Sequence, residues 1–134
     1  MILDVIAVYS NPIRWNSRLK LFKDFEDQML STRGVRLTAV ECAYGDRPYE
    51  LPAARVHVRQ REMLWNKENL INIAMTRLPD DWEYVAWVDA DVVFRDTDWA
   101  LETLHELQLN TIMQPWTACY DLGPKGQHLE AHTS

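Results

Sequence analysis

Residues 2–9 read ILDVIAVY, β-branched and almost uniformly apolar, which suits a strand covered on both faces. Such a strand needs a layer above it and a layer below it, and the segments that follow supply them in alternation. Ser10-Asn11-Pro12 ends the run with residues that favour a turn. From Ser17 a helical pattern runs at three-to-four spacing through Leu19, Phe22, Phe25 or Glu26, and Met29, and Gly34 stands where a helix would stop. Residues 35–42 (VRLTAVEC) alternate and predict a second strand. Strand, helix and strand with a short return form a βαβ-type unit, whose strands should be parallel.

The pattern continues. A turn-rich connection over 43–52 holds Gly45-Asp46-Arg47-Pro48, and 54–58 predicts a short third strand. Residues 63–78 predict a helix with Leu70, Ala74 and Leu78 on one face, broken by Pro79-Asp80-Asp81. Residues 84–88 (YVAWV) predict a buried strand that runs into Asp89-Ala90-Asp91. Capping residues at Asp96-Thr97-Asp98 introduce a helix over 99–109, and 111–116 predict a further strand. From Thr117 the chain reads as irregular. The expected fold class is α/β, a mostly parallel sheet flanked by helices in the Rossmann-like manner, with no internal repeat.

The chain has 134 residues, enough for one domain with a real core and too few for two. With 47% apolar and 25% charged residues, disorder over most of it is not expected. A net charge of −6 argues against nucleic acid as a partner, and means that an anion needs a local device to bind. Cys42 and Cys119 fall in no metal-binding spacing and are expected to be reduced, packed thiols. The apolar start is short, lacks a basic flank and does not read as a signal peptide. No stretch approaches the roughly 18 to 20 apolar residues of a transmembrane segment, and cytoplasm is the default location.

In open α/β sheets ligands gather outside the carboxyl ends of the strands. Asp89 and Asp91 stand at such an end. In an extended segment residues two apart point to the same side, so both carboxylates are expected to reach one polyanionic ligand and its metal. Mn²⁺ or Mg²⁺ held by one or two carboxylates plus substrate phosphates is the usual way to bind a diphosphate. The plainer alternative is a pair of solvated turn carboxylates.

Trp65-Asn66-Lys67-Glu68-Asn69-Leu70-Ile71-Asn72, followed by residues 82–94 (WEYVAWVDADVVF), resembles the GT-A fold glycosyltransferases, most closely in motif the β-1,4-galactosyltransferase-like group. The resemblance implies that Asp91 binds the metal ion, that Asp89 lies by the nucleotide ribose and metal-bound water, and that Lys67 reaches the donor diphosphate. Tyr9-Ser10-Asn11, with Arg14 and Arg18 following, occupies the place of the family's nucleotide-binding turn but lacks its Phe-Arg-Asn-Arg pattern. Glu41 stands where such enzymes often keep an acid for the nucleobase or ribose. The implied protein is a metal-dependent glycosyltransferase that takes a nucleoside-diphosphate sugar, with UDP favoured, and an acceptor hydroxyl.

The likeness covers residues 1–116, expected to be the nucleotide-sugar-binding domain. Residues 117–134 are expected to be an irregular tail that starts an acceptor-binding part lying downstream, where the catalytic acid or base would be. His128 and His132 read as solvated tail residues, and Trp116 and Tyr120 as either packing or sugar-site aromatics. Two competing readings remain. In a haloacid-dehalogenase-type phosphohydrolase Asp89 would be the nucleophile; that motif normally sits on the first strand, whereas here two strand-helix units precede it. An inactive nucleotide-binding fragment is the other. A nucleotidyltransferase would need a glycine-rich phosphate loop, and residues 10–17 contain no glycine.

Overall fold

A computed structural model describes residues 1–133. The first apolar run forms β1 (Leu3–Ser10), followed by α1 (Asn16–Ser31), β2 (Val35–Tyr44), β3 (Val56–Gln60), α2 (Lys67–Met75), β4 (Tyr84–Trp87) and α3 (Trp99–Glu106). The four strands make one parallel sheet in the order β3-β2-β1-β4. Strand β1 is internal, as its composition demands. Its odd residues Leu3, Val5, Ala7 and Tyr9 pack with Phe22, Phe25 and Met29 of α1 and with Trp99 and Leu104 of α3. Ile6 points the other way, into a second cluster with Val40, Cys42, Val56, Leu70 and Ala74, so α2 covers the opposite face. The period of two along β1 thus generates a helix–sheet–helix sandwich.

Helix α1 ends at Ser31, and Gly34, just before β2, adopts φ +83° while its carbonyl accepts the amide of Leu3 at 2.7 Å. A Cβ there would lie 3.0 Å from Leu101 Cδ2, so both backbone conformation and the approach of α3 favour glycine. Two carboxylates, those of Asp4 and Glu41, are buried in the sheet. Asp4 has no exposed surface, and its carboxylate accepts both Arg36 Nε (2.6 Å) and Arg36 Nη2 (2.9 Å) from the register-paired position on β2. Asp81 adds a second carboxylate to Arg36 at 3.1 Å.

Several boundaries differ from the sequence expectation, each for a physical reason. The helix expected over 63–78 is only Lys67–Met75; Met63, Leu64 and Trp65 are exposed, and the chain turns at Thr76 and Arg77 before Pro79. The third strand forms two residues later than expected, and the last helix closes at Glu106 in a turn rather than reaching 109. Strand β4 is half-exposed rather than buried, with Trp87 63% accessible, because it is the edge of the sheet. The strand expected over 111–116 does not form: Pro115 lacks an amide donor, no strand pairs with the segment, and Ile112 is 84% exposed.

The segment expected to be irregular is instead an antiparallel hairpin of β5 (Ala118–Leu122) and β6 (His128–Thr133). Its turn is closed by Gly126 N donating to Gly123 O at 2.9 Å, with Pro124 second and Gly126 at φ +75°. Among the described residues no helix is long and apolar enough to cross a membrane.

Candidate functional site

The parallel register sends the chain out of β1, β2 and β4 at one common edge, the edge at which α/β sheets gather ligands. Two groups of polar side chains lie along it.

The first lies beyond β4. Val88 N still donates to Ile6 O at 3.0 Å, so the ladder holds the chain until the residue before Asp89. A turn follows, with Val92 N donating to Asp89 O at 3.2 Å. Asp89-Ala90-Asp91 is therefore not extended, and strand alternation does not set the direction of its carboxylates. What exposes them is Ala90, which packs against the core and leaves both flanking aspartates at the surface. Lys67, the first residue of α2, forms an ion pair with Asp89 although 22 positions separate them. Asp91 has no hydrogen-bond or ion-pair partner among the described residues. Asn66, at the cap position of α2, has a buried Oδ1 without a hydrogen-bond partner.

The carboxylates of Asp89 and Asp91 are both exposed, and that of Asp89 is engaged by Lys67. Among the described residues the one trio of metal-ligating side chains with donor atoms within 4.8 Å of one another lies elsewhere, at Asp121, Glu130 and His132 on the hairpin. All three are exposed. His132 Nε2 is 3.2 Å from Asp121 Oδ2, and that carboxylate raises the imidazole pKa.

The second group lies beyond β1 and β2. Tyr9 donates its phenol to Glu50 Oε2 at 2.6 Å and accepts Asn11 Nδ2 at 3.1 Å. Burial pushes the Tyr9 phenol well above its ordinary pKa, and the bond to Glu50 adds to this, so it stays a donor. Asn11 also clamps the loop, its side chain bonding both the amide (3.0 Å) and the carbonyl (2.9 Å) of Trp15. Glu41 is 3% exposed and accepts the amides of Glu50 and Leu51, both at 2.7 Å. Its observed work is to dock the loop after β2.

Replacing Glu41 with Gln turns one of those acceptors into a donor facing an amide, a mismatch expected to cost about 2 kcal/mol. A lowered urea midpoint with faster amide exchange at Glu50 and Leu51 is the expected result; an unchanged midpoint contradicts this role.

Asn11, Arg14, Glu41 and Glu50 line a narrow recess. It shares Arg14, Tyr44, Arg47 and Pro48 with an open cleft of about 400 Å³. Of the sequence-predicted residues, Lys67 meets Asp89, and Tyr9, Asn11 and Glu41 join through Glu50. The sequence reading overlooked Glu50, Arg47 and Arg61; only Arg47, inside the Gly45-Asp46-Arg47-Pro48 turn, carried a signal of being at a strand's end. His128 is exposed and stacks on Tyr120 at 4.5 Å, while Trp116 lies in irregular chain.

Fold and site together define a parallel α/β domain whose carboxyl edge carries an Asp-x-Asp turn and a basic cleft. Comparison with known proteins returns no match: no family model, no curated protein and no solved structure is significantly similar to this chain.

Proposed function

We propose that the chain is a GT-A-like donor-binding domain of a glycosyltransferase, holding a nucleoside-diphosphate sugar, with UDP favoured, along the carboxyl edge of its sheet. The observation that carries this reading is the meeting of Lys67 and Asp89, which brings a helix start and a strand end together beside an unpartnered Asp91. Asp91, with Asp89, would hold Mn²⁺ or Mg²⁺, and the ion would supply Lewis-acid stabilisation of the departing diphosphate. Lys67 is a point charge for the same phosphates, exchanging its contact with Asp89 for one with the ligand. Strand β2 lies two ladder spacings from β4, roughly 10 Å, a gap that a nucleoside diphosphate can bridge. Tyr9, Asn11, Arg14 and Glu41 then line the nucleoside end.

The reaction is transfer of the sugar to an acceptor hydroxyl: the anomeric carbon forms a bond to the acceptor oxygen as its bond to the diphosphate breaks. Cytoplasm is the proposed setting, which suits the free thiols Cys42 and Cys119.

Calorimetric titration with UDP, with and without Mn²⁺, tests the reading beside Asp91→Ala. Binding that requires both the metal and Asp91 is expected, with the variant's thermal midpoint nearly unchanged because Asp91 is an exposed turn residue. Failure of UDP, GDP and the other nucleoside diphosphates to bind the folded protein would overturn it. Phosphate-ester hydrolysis through a phosphoenzyme at Asp89 would replace it with the phosphohydrolase reading.

A further inference from the structure

The open cleft beyond β2 and β3 is lined by Arg14, Arg47 and Arg61, together with Tyr44, Asp46 and Met63. Its lining holds three arginines and one aspartate, and the recess that shares Arg14 and Arg47 with it adds Glu41 and Glu50, whose carboxylates are engaged by backbone amides and by Tyr9. The chain carries 20 acidic residues against 14 basic ones, so partners are plentiful, yet none of these three side chains has a hydrogen bond or ion pair among the described residues. Arg18 bonds Ser10 O, Arg36 bonds Asp4, and Arg55 bonds Arg77 O, while Arg33, Arg77 and Arg95 also lack side-chain partners among the described residues but do not line the cleft; what sets Arg14, Arg47 and Arg61 apart is that one cleft gathers them. Unpaired cations gathered in a cleft of an acidic protein repel one another, and an anionic ligand relieves that repulsion.

The backbone that presents them is held in place. Arg59 Nη1 donates to the carbonyls of Gly45 and Arg47, both at 2.7 Å, and its guanidinium lies 4.6 Å from the Tyr49 ring centroid. Tyr49 in turn stacks on His57 at 4.1 Å. Arg14 sits at φ +58°, in the left-handed region, with its amide bonded to Asn11 O at 3.1 Å. A non-glycine residue pays about 1 kcal/mol for that conformation, and glycine would adopt it freely. Stability alone therefore favours glycine at position 14, whereas the cleft gains a guanidinium.

We infer that Arg14, Arg47 and Arg61 form a metal-independent site for a multiply charged phosphate ligand. Guanidinium groups suit it because each offers parallel N–H donors to phosphate oxygens. This goes beyond the donor reading, which depends on a metal at Asp91. The shared chemistry is a phosphate dianion or a longer polyphosphate.

The experiment is calorimetric titration of the whole chain with inorganic pyrophosphate, and separately with a sugar monophosphate, in excess chelator. Saturable binding is expected, weakened about tenfold by Arg14→Gly and by Arg61→Gln. Lys20→Gln, which removes the same charge from the exposed face of α1, should leave it unaltered. Arg14→Gly should keep the fold, because glycine adopts φ +58° freely, and an unchanged thermal midpoint would show that its effect reads the guanidinium and not unfolding. Tighter pyrophosphate would assign the cleft to a polyphosphate chain, and a tighter monophosphate to a phosphorylated small molecule; either supports the site. Absence of binding, or binding indifferent to both arginine variants, overturns it. Because chelation removes every metal ion, that outcome leaves the Mn²⁺-dependent UDP test standing on its own.

Discussion

Phe22→Ala is expected to lower the unfolding free energy by about 4 kcal/mol, the cost of removing a fully buried aromatic whose surroundings collapse only in part. Phe22 is 1% exposed on the inner face of α1. It packs edge-on against Tyr9 at 5.1 Å between ring centroids and lies 6.2 Å from Phe25. The substitution therefore empties the junction between α1 and the central strand. Small domains are stable by about 5–15 kcal/mol, so a loss of this size removes a large share of the total. Leu21, the preceding residue, is 50% exposed, and Leu21→Ala should change stability by no more than about 0.5 kcal/mol. Urea denaturation of the two variants checks both the size of the effect and the rotational phase of α1. Equal midpoints for the two would mean that the helix does not face the sheet as described.

Arg36→Met should cost about 3 kcal/mol, because it strands the Asp4 carboxylate inside the sheet with no cation. Asp4 has no exposed surface and receives two hydrogen bonds from the Arg36 guanidinium. The double variant Asp4→Leu/Arg36→Met should recover most of the loss, since it leaves no charge buried. A double-mutant cycle by urea denaturation measures this. If the double variant is as unstable as the single one, the pair contributes through packing rather than charge. The same pair helps align β1 with β2, because Asp4 and Arg36 are register partners.

Position 4 also marks a limit of reading by pattern. Residues 2–9 are almost uniformly apolar, and the strand is internal as expected, yet the exception is a buried carboxylate whose partly exposed cation lies 32 residues away. The helix after β1 was legible from Phe22, Phe25 and Met29, since one face at helical spacing needs no tertiary information. Strand β4 departs from its pattern for the opposite reason. An apolar run says that a strand can be buried, but its place at the centre or edge of a sheet depends on strand order. The hairpin has a local signal in Gly123-Pro124-Lys125-Gly126, flanked by residues able to pair, although the tail as a whole lacks a periodic pattern.

At the candidate site the division is similar. Asp89-Ala90-Asp91 and Lys67 stand out in the sequence, and so does their position at element ends. Their meeting does not, because it depends on β4 lying beside β1 while α2 crosses the face behind it. The arginine cleft was hidden more completely: Arg14, Arg47 and Arg61 belong to three separate loops and share no spacing.

By itself, then, the sequence determined the α/β class, the parallel βαβ unit and the apolar faces of the helices, since periodicity and turn chemistry act over a few residues. Tertiary structure alone decided which strand became the edge, which carboxylate found a cation and which arginines were left without one. Those outcomes follow from contacts between residues far apart in the chain, and charge interactions depend on the distances such contacts set.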